Sequence, residues 1–151
     1  MTAIVTALRP LPNVHPMVVH FPVVLLLMAG GLDALALAAG RTQLAAVGRW
    51  ALWIGTLAAG LAVWSGHESA EALESGVGPD ARALIGLHHD GAMTVLGGAA
   101  VLSVWRLVAG ERRWRRWSLV LAVIVAALVA AVSHLGGQLV FLHGVAVRPP
   151  S

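Results

Sequence analysis

The chain has 151 residues, 58% of them hydrophobic and 11% charged, with a mean hydropathy of +0.82. An ordinary soluble domain is about 25% charged, so this composition excludes a soluble enzyme domain, a disordered tail and a nucleic-acid module. No cysteine is present, which removes disulfides, iron–sulfur clusters and thiolate metal sites. The net charge is +3 and all ten basic residues are arginines, mostly in two short stretches. That distribution reads as loops facing a membrane and not as a nucleic-acid stripe.

The N-terminal stretch, with Arg9, Pro10, Pro12 and Pro16 before a long apolar run, does not read as a cleavable signal. A bilayer core about 30 Å thick takes roughly 20 apolar helical residues, and four stretches reach that length. They run from about Met17 to Ala39, Leu44 to Trp64, Gly91 to Ala109 and Trp117 to Leu142. Period-two alternation is absent, so a barrel is not expected. Gly55, Gly60, Gly97 and Gly98 let membrane helices pack closely, within the chain or between copies in a homo-oligomer. Pro79 after Gly78 has the look of a first-turn proline and carries one helix from there into the third span. The expected fold is all-α: a four-helix transmembrane bundle forming a single domain.

Charge sets the expected orientation. The connections after spans one and three hold Arg41, Arg49, Arg106, Arg112, Arg113, Arg115 and Arg116, against Arg9, Arg82 and Arg148 on the other side. By the positive-inside rule both termini and the loop from about Ser65 to Asp90 face outward. In a bacterium this is a multi-pass protein of the inner membrane with its outer face in the periplasm. Trp50, Trp53, Trp64, Trp105, Trp114 and Trp117 fall near span ends, as an interfacial belt would. Asp33 is the one acid well inside a span, and Arg49 or Arg106 is the expected counter-charge.

The seven histidines all fall in the outer half of this topology. His15 precedes span one and His20 lies inside it. His67 follows span two, His88 and His89 precede span three, His134 sits inside span four, and His143 lies at its end. His134 and His143 are nine residues apart, on opposite sides of a helix. Imidazoles in a membrane are functional or hydrogen-bonded between helices, and three readings stay open. Histidines from facing helices ligate a haem iron axially, with His20, His88, His89, His134 and His143 as the candidate ligands. Alternatively, His15, His67, Glu68 and Asp90, with the His88–His89 doublet, hold a divalent ion such as zinc or copper. In the third reading the histidines only join helices. A covalent c-type attachment motif is absent, so any haem is haem b.

The segment Val14-His15-Pro16-Met17-Val18-Val19-His20-Phe21-Pro22 is the most specific local signal, and Pro22 is expected to disturb span one near His20. Together with Ser133-His134-Leu135-Gly136-Gly137-Gln138-Leu139-Val140-Phe141-Leu142-His143-Gly144-Val145-Ala146-Val147, it resembles an uncharacterised bacterial membrane family, domain of unknown function 2231. The resemblance covers nearly the whole chain. Members of that family are sometimes fused to Rieske-type iron–sulfur domains, which implies electron-transfer company and favours the haem reading. The expected activity is that of a small b-type cytochrome-like carrier or subunit more than a stand-alone enzyme. Haem is ligated by His134 with His20, His88 or His89, and a redox protein or quinone is the expected partner in the bilayer.

Overall fold

A computed structural model describes residues 13–73, 76–108 and 115–147. Arg9, Glu74, Ala109, Arg112, Arg113, Trp114 and Arg148 lie outside the described residues. Four long helices are present. The first, α1, spans His15–Ala39 as an opening segment, His15–Val18, and a main helix, His20–Ala39. The second and third are α2 (Thr42–Leu73) and α3 (Pro79–Val108), and the fourth is α4 (Arg115–Phe141). All four are long and apolar enough to cross a membrane.

The helix ends have local causes. Pro22 has no N–H to give the Val18 carbonyl, and the regular helix is interrupted one residue later, at Val19. Gly40 closes α1 in the left-handed conformation (φ 65°), which a residue with a Cβ adopts only at a cost. Arg41 alone then separates it from α2. Pro79 opens α3, as its position after Gly78 foretold. After α4, Gly144 (φ 62°) and Ala146 (φ 62°) turn the chain back, and the Val145 N–H reaches the Leu139 carbonyl at 2.9 Å.

Two helices are longer than the apolar stretches that announce them. At about 1.5 Å per residue, α2 and α3 are roughly 48 and 45 Å long against a bilayer core of about 30 Å. Hydropathy marks where a helix is greasy, not where its backbone hydrogen bonding stops. Each therefore continues past the apolar stretch at the end bearing the histidines. The helices form a ring in which α1 packs on α2 and α4, and α3 packs on the same two.

The core is built from small side chains. Leu52 and Leu102 are its largest fully buried residues, surrounded by Leu26, Ala29, Ala51, Val95, Ala99, Ala122, Val125 and Val129. At Gly55 a Cβ would stand 3.0 Å from Leu25 Cβ, so α1 and α2 approach almost backbone to backbone. Close contact of this kind, with its dispersion gain, stabilises bundles where lipid supplies no hydrophobic drive. Large residues such as Leu57, Leu107, Val108 and Phe141 face outward, as lipid-facing residues do. Trp50, Trp64 and Trp117 are likewise exposed.

Candidate functional site: paired imidazoles at one end of the bundle

Each end of the bundle carries a polar cluster with a contribution from all four helices. At the arginine end, Asp33 of α1 forms an ion pair with Arg106 of α3. Arg106 Nε also donates to Ser118 Oγ of α4 at 2.8 Å. On α2, a Cβ at Gly48 would lie 3.0 Å from Asp33 Oδ1, so the missing side chain is what admits the carboxylate. Of the two counter-charges expected for Asp33, Arg106 takes the role. Arg49 has its guanidinium carbon 5.9 Å from the centre of the Trp53 ring, a cation–π distance. Midway along the bundle, Thr56 and Ser103 meet at 3.0 Å, joining α2 to α3.

At the other end the cluster is made of imidazoles. The His15 and His88 rings, from α1 and α3, lie with centroids 6.4 Å apart and planes at 83°. His15 Nδ1 is 3.0 Å from Ser65 Oγ of α2. Ser65 Oγ also lies 3.1 Å from the Ala62 carbonyl; with its one proton directed there it accepts from His15 Nδ1–H, the tautomer taken for this ring. His88 Nδ1 is 3.1 Å from the Val132 carbonyl of α4, and a carbonyl only accepts. Both rings are therefore held through Nδ1–H, and in both the nitrogen carrying a lone pair is Nε2.

Glycines make this placement possible. A Cβ at Gly66 would stand 2.9 Å from His15 Cε1, and one at Gly136 would stand 3.1 Å from His88 Cε1. Each imidazole thus lies against the backbone of a neighbouring helix. Asn13 ties down the start of α1: its Oδ1 accepts from the His15 N–H at 2.9 Å and from Ser69 Oγ at 2.7 Å.

A second pair lies further along. His67 of α2 and His89 of α3 have ring centroids 6.0 Å apart, planes at 44°, and His67 Nε2 is 3.2 Å from Glu71 Oε1. The remaining candidates fall elsewhere. His20 and His134 are exposed on the outside of the bundle. His134 Nε2 accepts from the Gln138 amide at 3.1 Å. His143, in the turn after α4, lines an open cavity of about 330 Å³ with Leu73, Val77 and Val145. Glu68 and Asp90 are exposed. Among the described residues, no group of three or more His, Asp or Glu is assembled that could hold a metal ion.

Helix phase accounts for this sorting. At about 100° per residue, His20 is roughly 140° around α1 from His15. His134 is roughly 200° from Gly136, the residue on which His88 rests. His88 and His89 differ by about 100° and so join different partners. Sequence reasoning took the deepest histidines as the site and missed Ser65 and Gly66. The available signal was the placement of these small residues near the histidines in sequence.

These features define the class: an all-α membrane protein of four helices with a histidine cluster at one end. The chain belongs to the family described as predicted membrane protein (DUF2231), whose model matches residues 11–149. Comparison with curated proteins and with solved structures finds no match.

Proposed function

We propose that this is a small b-type cytochrome-like electron-transfer protein that holds one haem b between His15 and His88. The observation that carries the reading is the separation of those two rings. A metal–imidazole bond is about 2 Å and the ring centre lies about 1 Å behind the nitrogen, so two trans imidazoles on one metal have centroids roughly 6 Å apart. The observed value is 6.4 Å. Each ring has its Nδ1–H fixed by an acceptor on a neighbouring helix, the support that ligating histidines characteristically receive.

The number of donors favours haem over a zinc ion. A porphyrin supplies four equatorial nitrogens, so the protein need offer only two axial ones. Structural zinc takes four protein ligands and catalytic zinc three, and among the described residues no third ligand joins this pair. Gly66 and Gly136 let the two rings sit directly against the neighbouring helix backbones, which fixes their positions. Haem bound here would supply reversible one-electron chemistry. The chain's own part is to fix two neutral imidazoles and to exclude water from them. With the arginine end inside by the positive-inside rule, the site faces the periplasm, where a redox protein or a membrane quinone would meet it.

The test is an absorption spectrum of detergent-purified protein, oxidised and then reduced with dithionite, after expression with ample haem. Resolved α and β bands on reduction, lost in both His15→Ala and His88→Ala and kept in His20→Ala and His134→Ala, are expected. A featureless visible spectrum from folded protein overturns the reading. Bands that disappear with His134→Ala but survive His15→Ala would return the axial role to the deeper histidine.

A further inference from the structure

The pair His67–His89 has a different character from the inner one: His67 is exposed, while His89, like His15 and His88, is half-buried. We infer that His67 and His89, with Glu71 behind His67, form a second, surface-accessible site that binds a monovalent copper ion.

Three observations carry this. His67 and Glu71 are four residues apart on α2, on one face of the helix, and their side chains meet at 3.2 Å. A carboxylate only accepts hydrogen bonds, so the contact engages His67 Nε2–H and leaves Nδ1 as the nitrogen with a free lone pair. A carboxylate behind an imidazole is the recurrent support of a metal-ligating histidine. The third observation is the facing ring of His89 on another helix, with its centroid 6.0 Å away.

The separation selects the ion. Two imidazoles in line on one metal have centroids roughly 6 Å apart, whereas a tetrahedral angle draws them to about 5 Å. The observed 6.0 Å matches the in-line arrangement. Copper(I) is satisfied by two nitrogen donors in line, while zinc requires further ligands, and among the described residues none is assembled here. Access also differs from the inner pair. The His67 and Glu71 side chains are 59% and 65% exposed, so an ion enters from solvent. A bare ion suits this pair better than a second macrocycle, because His89 directly follows His88, which belongs to the inner pair.

This inference does not depend on haem at His15 and His88. The experiment is a titration of purified full-length protein with copper(I), kept reduced by ascorbate, against a chromophoric copper(I) chelator, with circular dichroism confirming the fold of each variant. The expected result is one copper per chain. Binding should weaken at least 100-fold in His67→Ala and in His89→Ala, and about 10-fold in Glu71→Gln, and should be unchanged in His15→Ala. Absence of stoichiometric copper overturns the proposal. So does copper retained in both His67→Ala and His89→Ala, which would mark adventitious binding, or copper lost with His15→Ala, which would place it at the inner pair. A haem spectrum that fails while copper binding follows His67 and His89 would leave this site standing alone.

Discussion

The two ends of the bundle solve the same problem with opposite chemistry. Each brings a residue from every helix into one polar cluster, but the arginine end closes on itself and the histidine end does not. Asp33 and Arg106 are opposite charges, each almost entirely out of solvent, and Ser118 takes a further guanidinium hydrogen. A buried ion pair of this kind is stable only as a pair, because either charge alone is left without solvation. At the histidine end, His15 and His88 are held through Nδ1 by neutral acceptors, Ser65 Oγ and the Val132 carbonyl, which leaves Nε2 as the lone-pair nitrogen of each ring. The first cluster is a clasp, and the second is a clasp with donor atoms to spare. Polar groups inside a membrane protein therefore differ less in cost than in whether their bonding is finished.

The comparison is broken most severely at the clasp. Arg106→Leu should lower stability by about 3–5 kcal/mol, since it strands the Asp33 carboxylate. Adding Asp33→Leu should restore most of the loss, read as the midpoint of thermal unfolding in detergent. A smaller effect is expected where one end feels the packing of the other elements. In Gly91→Ala the new methyl would sit 2.7 Å from Val132 Cγ2, costing about 1–3 kcal/mol through overpacking. It should also disturb His88, whose partner is the Val132 carbonyl, so haem binding should weaken alongside the unfolding midpoint.

Two further variants sharpen the contrast. Ser65→Ala removes the acceptor for His15 Nδ1–H and should cost about 1 kcal/mol. Haem affinity should fall 10–100-fold in the same variant while the absorption bands keep their positions. The clasp has no such separable effect on ligand affinity. The smallest effect is expected at Gln138→Leu, which touches only the exposed bond to His134. There the change in stability should stay within about 0.5 kcal/mol, and the visible spectrum should not move.

Much of the architecture was legible in advance, for particular reasons. The four spans follow from uninterrupted apolar length, and the start of α3 follows from Pro79 behind Gly78. Asp33 needed a cation because an isolated carboxylate is costly in a membrane, and Arg49 at the start of span two or Arg106 in span three could supply it. Of the site, the gathering of histidines was legible but their pairing was not. His20 and His134, the deepest, were the natural ligands by depth alone, yet both lie on the outside of the bundle. The partners that hold His15 and His88 are a serine and a backbone carbonyl, neither of which carries a compositional mark.

Sequence by itself determined the class of protein, the number of helices, the expected direction of insertion and the end at which the histidines collect. These depend on sums: hydropathy over a span, arginines over a loop, histidines over one half of the chain. Only the tertiary structure decided which histidines meet. That depends on the rotation of each helix about its axis, and helices apolar on nearly every side carry no stripe to announce it. The rotation is set instead by close approach at glycines such as Gly48, Gly55, Gly66 and Gly136, where one helix backbone admits a neighbour's side chain. A change of about 100°, one residue's step around the helix, separates His88 in the inner pair from His89 in the outer one.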